Sequence, residues 1–233
     1  MTEKVSNKTT ARIAGLCYLG VVLTGIYSLM IVPSKLIVED NALLTYQNII
    51  AAEPVFRLWI VMGLLCYTFF LFLPLVLYKL LKRVHEDQAK WMVLLAIMSV
   101  PLFFLNTQNL FNILSLVSGS KTRFGFSSEQ IQFQVMLYLE QYKNGMRIVH
   151  IFSGLWLFPF GYLVFRSGFL PKILGVLLML GCLGYLLNFL GNTLVADYAK
   201  MGISSYISLP ASIGEIGTCL WLLIMGVKNK KTV

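Results

Sequence analysis

The sequence predicts an all-α, polytopic membrane protein of six transmembrane helices, and three observations carry that prediction. Hydrophobic residues make up 58% of the 233-residue chain. Charged residues make up 12%, against about 25% in soluble domains. The apolar residues are gathered into six long runs, each near the ~20 residues that a helix needs to cross a bilayer core. Helices are expected rather than a closed barrel, because barrel strands show weak alternating segments of about ten residues.

The spans are expected at about 12–33, 57–79, 91–115, 146–166, 172–195 and 209–227, forming a single transmembrane domain. The first follows Lys4, Lys8 and Arg12 as a signal peptide would. Its core is too long, however, and Pro33-Ser34-Lys35 stands where a cleavage site would, so it is expected to stay as a span. Asp40 is expected to cap a short helix through Ala51, which Glu53-Pro54 ends. Ser127 and Gln130 have capping-box spacing and would open a second short helix presenting Ile131, Val135 and Leu139 to an apolar surface. Both short amphipathic helices are expected to lie at the outer interface. Between spans four and five, Gly168 suits a helix C-terminal cap and Pro171 the first turn of the next helix. Pro74, Pro101 and Pro159 fall inside spans and predict kinks. Glycines at 175, 181, 184, 191, 214 and 217 allow close helix approach in the last two spans.

Charge sets the orientation. With the N-terminus in the cytoplasm, the inner segments hold twelve basic residues against Glu3, Glu86 and Asp87, which accounts for the whole net charge of +9. The outer side is balanced. That asymmetry follows the positive-inside rule and places both termini in the cytoplasm of an inner or plasma membrane. The basic surplus is a topology signal and a contact for anionic lipid; it calls for no nucleic acid. Membrane lipids and a small-molecule ligand are the expected partners, with an oligomer or another membrane protein as the alternative.

Polar groups inside a span are costly and point to function by default. Glu215 is the only acid deep in a predicted span and must be protonated or find a cation. Arg147 and His150 are three residues apart and share a helix face; Asn188 and Asn192 are four apart and do the same. With Asn106, and with Arg57 at the outer end of span two, these seven residues are expected to gather in the outer half of the membrane. There Glu215 would be the charge centre, Arg147 or His150 its partner, and the asparagines hydrogen-bonding walls. The competing reading is structural: asparagine, histidine and an ion pair also lock helices together, at about 0.6–2 kcal/mol per bond.

Catalysis has little support. The sequence lacks an H-E-x-x-H zinc motif, a G-x-S-x-G nucleophile elbow and a phosphate-cradling loop. One deep carboxylate leaves paired acid–base chemistry without a second member. The four cysteines all fall inside spans with no C-x-x-C, so neither a disulfide nor a metal site is expected. No catalytic residue, metal ligand or cofactor is therefore assigned.

Several stretches carry a resemblance: Ala11-Arg-Ile-Ala-Gly-Leu-Cys-Tyr-Leu19, Phe56-Arg57-Leu58, Gly161-Tyr-Leu-Val-Phe-Arg-Ser-Gly-Phe-Leu-Pro-Lys-Ile-Leu-Gly175, and Gly214-Glu215 followed by Leu220-Trp221. Together they resemble a bacterial membrane-protein family catalogued as a domain of unknown function, number 4386. The resemblance runs over nearly the whole chain and is most specific across 162–175. It implies a multi-helix inner-membrane protein and no particular activity. The family's Phe-Arg and Gly-Glu coincide with Arg57 and Glu215 here.

Three functions remain in view. The first is a small-molecule binding or transport protein with an outer-half polar pocket. The second is an accessory or structural membrane protein whose polar groups pair internally. The third, an intramembrane enzyme acting on lipid, lacks a nucleophile or metal in this sequence.

Overall fold

A computed structural model describes residues 7–118 and 125–227. The chain is helical along these residues, with no strand among them. Six helices are long and apolar enough to cross a membrane: α1 (Asn7–Leu36), α3 (Glu53–Leu81), α4 (Glu86–Ser118), α5 (Ser128–Arg166), α6 (Lys172–Leu194) and α7 (Ile203–Ile224). A short helix, α2 (Ala42–Ala51), lies between α1 and α3. Glu3, Lys4, Lys121, Arg123, Lys228, Lys230 and Lys231, which enter the charge argument, lie outside the described residues.

Each long helix packs on the next in chain order, and α1 returns to α7, so the six spans close into a ring. Gly226 lies against Lys8, which brings the two ends of the described chain to one face, the terminal face. Small residues make the tight crossings. The Gly161 and Gly175 backbones of α5 and α6 are so close that a Cβ on either would meet the other's carbonyl oxygen at 2.6 Å. This crossing lies in the stretch singled out by sequence. Across the ring α3 and α5 meet through aromatic pairs, Trp59 on Tyr142 at 5.8 Å and Phe70 on Trp156 at 5.1 Å, both edge-on.

Several local expectations are refined. Asn41, not Asp40, caps α2: its side chain accepts from the Leu44 amide at 2.9 Å, while Asp40 takes a left-handed φ of 58° in the turn before it. The capping box at Ser127 and Gln130 forms, and Ile131, Val135 and Leu139 are buried. The helix it opens is not a separate interfacial piece, however. No proline stands between it and span four, so the two run on as α5, whose 39 residues reach about 58 Å, well beyond a ~30 Å core. α7 likewise begins at Ile203, six residues before the expected span, which makes Pro210 an internal residue. Gly168 adopts φ +72°, as a cap glycine does, and Pro171 is the residue before α6, not its first turn.

Three helices are locally irregular. In α4 the regular pattern breaks at Thr107, between Asn106 and Gln108. In α5 the regular pattern breaks at Trp156, three residues before Pro159, whose missing N–H cannot bond the Leu155 carbonyl. In α1, Ile26–Ile31 forms a π-helical stretch in which the Val32 amide bonds back five residues to the Tyr27 carbonyl. Such wide turns inside α-helices are frequent at functional sites.

Candidate functional site

Tyr18 on α1 and Glu215 on α7 meet near the middle of the bundle. Glu215 is nine residues from the end of α7 and Tyr18 eleven from the start of α1, about 14 and 17 Å from the terminal face. The Tyr18 hydroxyl donates to Glu215 Oε1 at 3.3 Å. On the terminal side of this bond the helix pair is closed, with Leu223 against Gly15 and Cys219 Sγ 3.7 Å from the Gly15 carbonyl.

On the other side of the bond lies a cavity of about 260 Å³. Five of the six spans contribute to its wall. From α1 come Tyr18 and a run that ends in the π stretch, including Gly25, Ile26, Leu29 and Met30. α3 gives Cys66, Tyr67 and Phe70; α5 gives His150, Ser153 and Trp156. α6 gives Tyr185, and α7 gives Ser212, Glu215 and Ile216. The wall is therefore apolar and aromatic, with a few convergent polar groups, the composition usual for a small-molecule site.

The aromatic groups are held in place from behind. Tyr67 stacks on Phe103 with ring centroids 3.8 Å apart, and Trp156 stacks on Phe160 at 4.9 Å. The His150 and Tyr185 rings meet edge-on at 5.6 Å. Among the described residues no ion pair reaches Glu215, and no group of histidine, cysteine and carboxylate side chains could hold a metal. The four cysteines are free thiols.

The family described as a domain of unknown function, DUF4386, matches residues 13–226. The chain belongs to the DUF4386 family. It is also similar to an uncharacterised protein of Archaeoglobus fulgidus, 33% identical over 84 residues, which are 36% of this chain and 48% of that one. The match thus spans about half the length of the archaeal relative. No solved structure matches the chain.

The DUF4386 chain brings two of the seven sequence candidates, Glu215 and His150, to the cavity and places the other five elsewhere. Arg147 does not pair with Glu215: its guanidinium donates to Asn144 Oδ1 at 2.8 Å, one turn back on α5. Arg57 pairs with Glu53 at 2.7 Å and donates to Ser118 Oγ at 3.1 Å, tying the start of α3 to the end of α4. Asn106 donates to the Tyr142 carbonyl at 2.9 Å and accepts from Asn109 at 3.1 Å, which joins α4 to α5. Asn188 donates to Ser208 Oγ at 2.9 Å and accepts the Tyr198 hydroxyl at 2.9 Å. Asn192 donates to the Asn188 carbonyl at 2.7 Å. Asn106 and Asn188 are therefore joints between neighbouring elements, Asn192 bonds within its own helix, and none of the three lines the Glu215 cavity.

Sequence reasoning missed Tyr18, Tyr67, Tyr185, Ser153 and Ser212. Tyrosine enters the sequence reading only through the hydrophobic fraction. A signal was available: membrane tyrosines favour the two interfaces, where the hydroxyl meets water. Tyr18 and Tyr185 stand about 17 and 20 Å along their helices and need a partner inside the bundle.

Proposed function

We propose that this DUF4386 protein binds or transports a small molecule inside the membrane, with Glu215 as the charge centre of its site. One observation carries the reading: a carboxyl group with no basic partner among the described residues faces a 260 Å³ cavity. An acid kept only to lock two helices would be expected to spend its oxygens on neighbouring helices, as Asn106 and Asn188 spend their amides. Tyr18, Tyr185 and His150 are the further polar contacts we assign to the ligand. The accessory-protein reading draws on Asn106 and Asn188, which do lock helices, and extends that role to Glu215.

Thermal stability of the purified protein across a metabolite and lipid library separates the two. A ligand at about 100 times its Kd stabilises by about 2.7 kcal/mol. The binding reading expects a compound that protects wild type and fails to protect Glu215→Gln. Protection equal in both, or none in either, contradicts it.

We also place the termini, and with them the closed end of the Tyr18–Glu215 pair, on the cytoplasmic side of the plasma membrane. The basic surplus next to the spans supports this. A C-terminal reporter that works only in the cytoplasm is expected to be active; activity only from a reporter that needs export overturns the orientation.

A further inference from the structure

The cavity has a side opening as well as a floor. α7 follows α6 closely along its length, with Ala211 against Gly181, Ile207 against Gly184 and Leu174 against Gly217. Its close contacts with α1 lie on the terminal side of Glu215, at Gly15. Beyond Glu215, cavity-lining residues of both helices are exposed: Ile26, Leu29 and Met30 on α1, and Ser212 and Ile216 on α7. In a chain that spans a membrane, these residues meet acyl chains, so the mouth between α1 and α7 opens into lipid. The π stretch forms one lip of that mouth.

The inner end has a different chemistry. Glu215 is accompanied there by the rings of Tyr18, Tyr67, Phe70, Trp156 and Tyr185. Carboxylate together with several aromatic faces is the arrangement that attracts an organic ammonium, through charge and through the ring quadrupoles. Lysine and arginine are absent from the wall, so the compensating cation is left for a ligand to supply.

Resting on the binding reading above, we propose that the ligand is an amphipathic organic cation that enters sideways from the bilayer between α1 and α7. Its ammonium group sits among Glu215, Tyr18 and Tyr185, and its apolar tail lies along Ile26, Leu29, Met30 and Ile216. Binding is non-covalent, and the tail stays in contact with lipid.

The test uses the full chain in lipid nanodiscs and saturable binding of radiolabelled dodecyltrimethylammonium, with empty nanodiscs subtracted. On wild type, displacement by 1-dodecanol or dodecyl sulfate is expected to be at least tenfold weaker than by the unlabelled cation. Displacement by tetramethylammonium, which keeps the head and lacks the tail, is expected to be at least a hundredfold weaker. These comparisons need no variant. Glu215→Gln is expected to lose at least tenfold in affinity. Ser212→Trp, at the mouth, is expected to slow association at least fivefold, whereas Leu220→Trp, exposed on the same helix away from the cavity, leaves it unchanged.

Equal displacement by the alcohol or the sulfate overturns the cationic class. Equal potency of tetramethylammonium, or unchanged kinetics in Ser212→Trp, overturns the lipid-side route. Absence of saturable cation binding, with a neutral or anionic library compound that protects wild type but not Glu215→Gln, overturns this inference and leaves the binding reading standing. Absence of any such ligand overturns both.

Discussion

Asn106 and Glu215 illustrate how two polar residues in apolar helices come to different ends. Asn106 faces Gly145, and a side chain there would occupy the space of its amide. The amide is spent on the Tyr142 carbonyl and on Asn109. Replacing Gly145 with leucine should push Asn106 out of this joint and cost about 1–3 kcal/mol, the usual range for overpacking. Chemical unfolding in detergent measures it; a loss under 0.5 kcal/mol would mean the joint is not under packing constraint. Glu215 instead keeps one oxygen on the Tyr18 hydroxyl and faces open space. The cost of a polar group in a span was legible in the sequence for both residues. Which of them would be consumed by a neighbour was not, because that depends on Gly145 lying beside Asn106 and on no arginine or lysine lying beside Glu215. Arg147 shows the same limit: it shares a face with His150, yet it turns to Asn144 within its own helix.

At the scale of elements, α1 differs most from its sequence expectation. Its apolar run predicted a span, and nothing in its composition marked the π stretch at Ile26–Ile31. That stretch widens the helix where it borders the cavity. Deleting Ile31, one exposed residue of this stretch, should restore α-helical bonding, narrow the wall and leave the faces before and after it nearly aligned. Ligand binding is expected to fall more than tenfold while the midpoint of thermal unfolding moves little; binding retained at full strength would show that the wide turn has no part in the site. The joins between helices were harder to read than the helices themselves. The cap at Ser127 was legible from its spacing to Gln130, but its continuation into α5 was not. A capping box states where a helix starts, and only the absence of a breaker over the following residues states how long it runs. α7 gained its first turns differently: it runs on from Gly202 through Pro210, which stands at the start of the expected span. Those extra residues move Glu215 from the expected outer half to near the middle of the span.

The whole molecule is a ring of six spans in chain order, and this class was legible from hydrophobicity alone, since run length and the need to bond every backbone group leave few alternatives. The closure of the ring by α1 on α7 was not legible. It brings together residues about two hundred positions apart, Tyr18 and Glu215, through small residues whose partners the sequence does not name. That closure, tight on the terminal side and open beyond Glu215, sets the carboxyl group in the wall of a cavity. On the binding reading proposed above, Glu215 is held for a ligand and not for the fold. The ligand-free stability of Glu215→Gln tests this most directly. Glutamine keeps an oxygen for the Tyr18 hydroxyl and removes only the ionisable group. With chemical unfolding as the readout, a change within about 1 kcal/mol of wild type is expected, the range of a single hydrogen-bond adjustment. A loss of about 2–3 kcal/mol, the cost of leaving a buried polar partner unsatisfied, would contradict it and make Glu215 a structural lock.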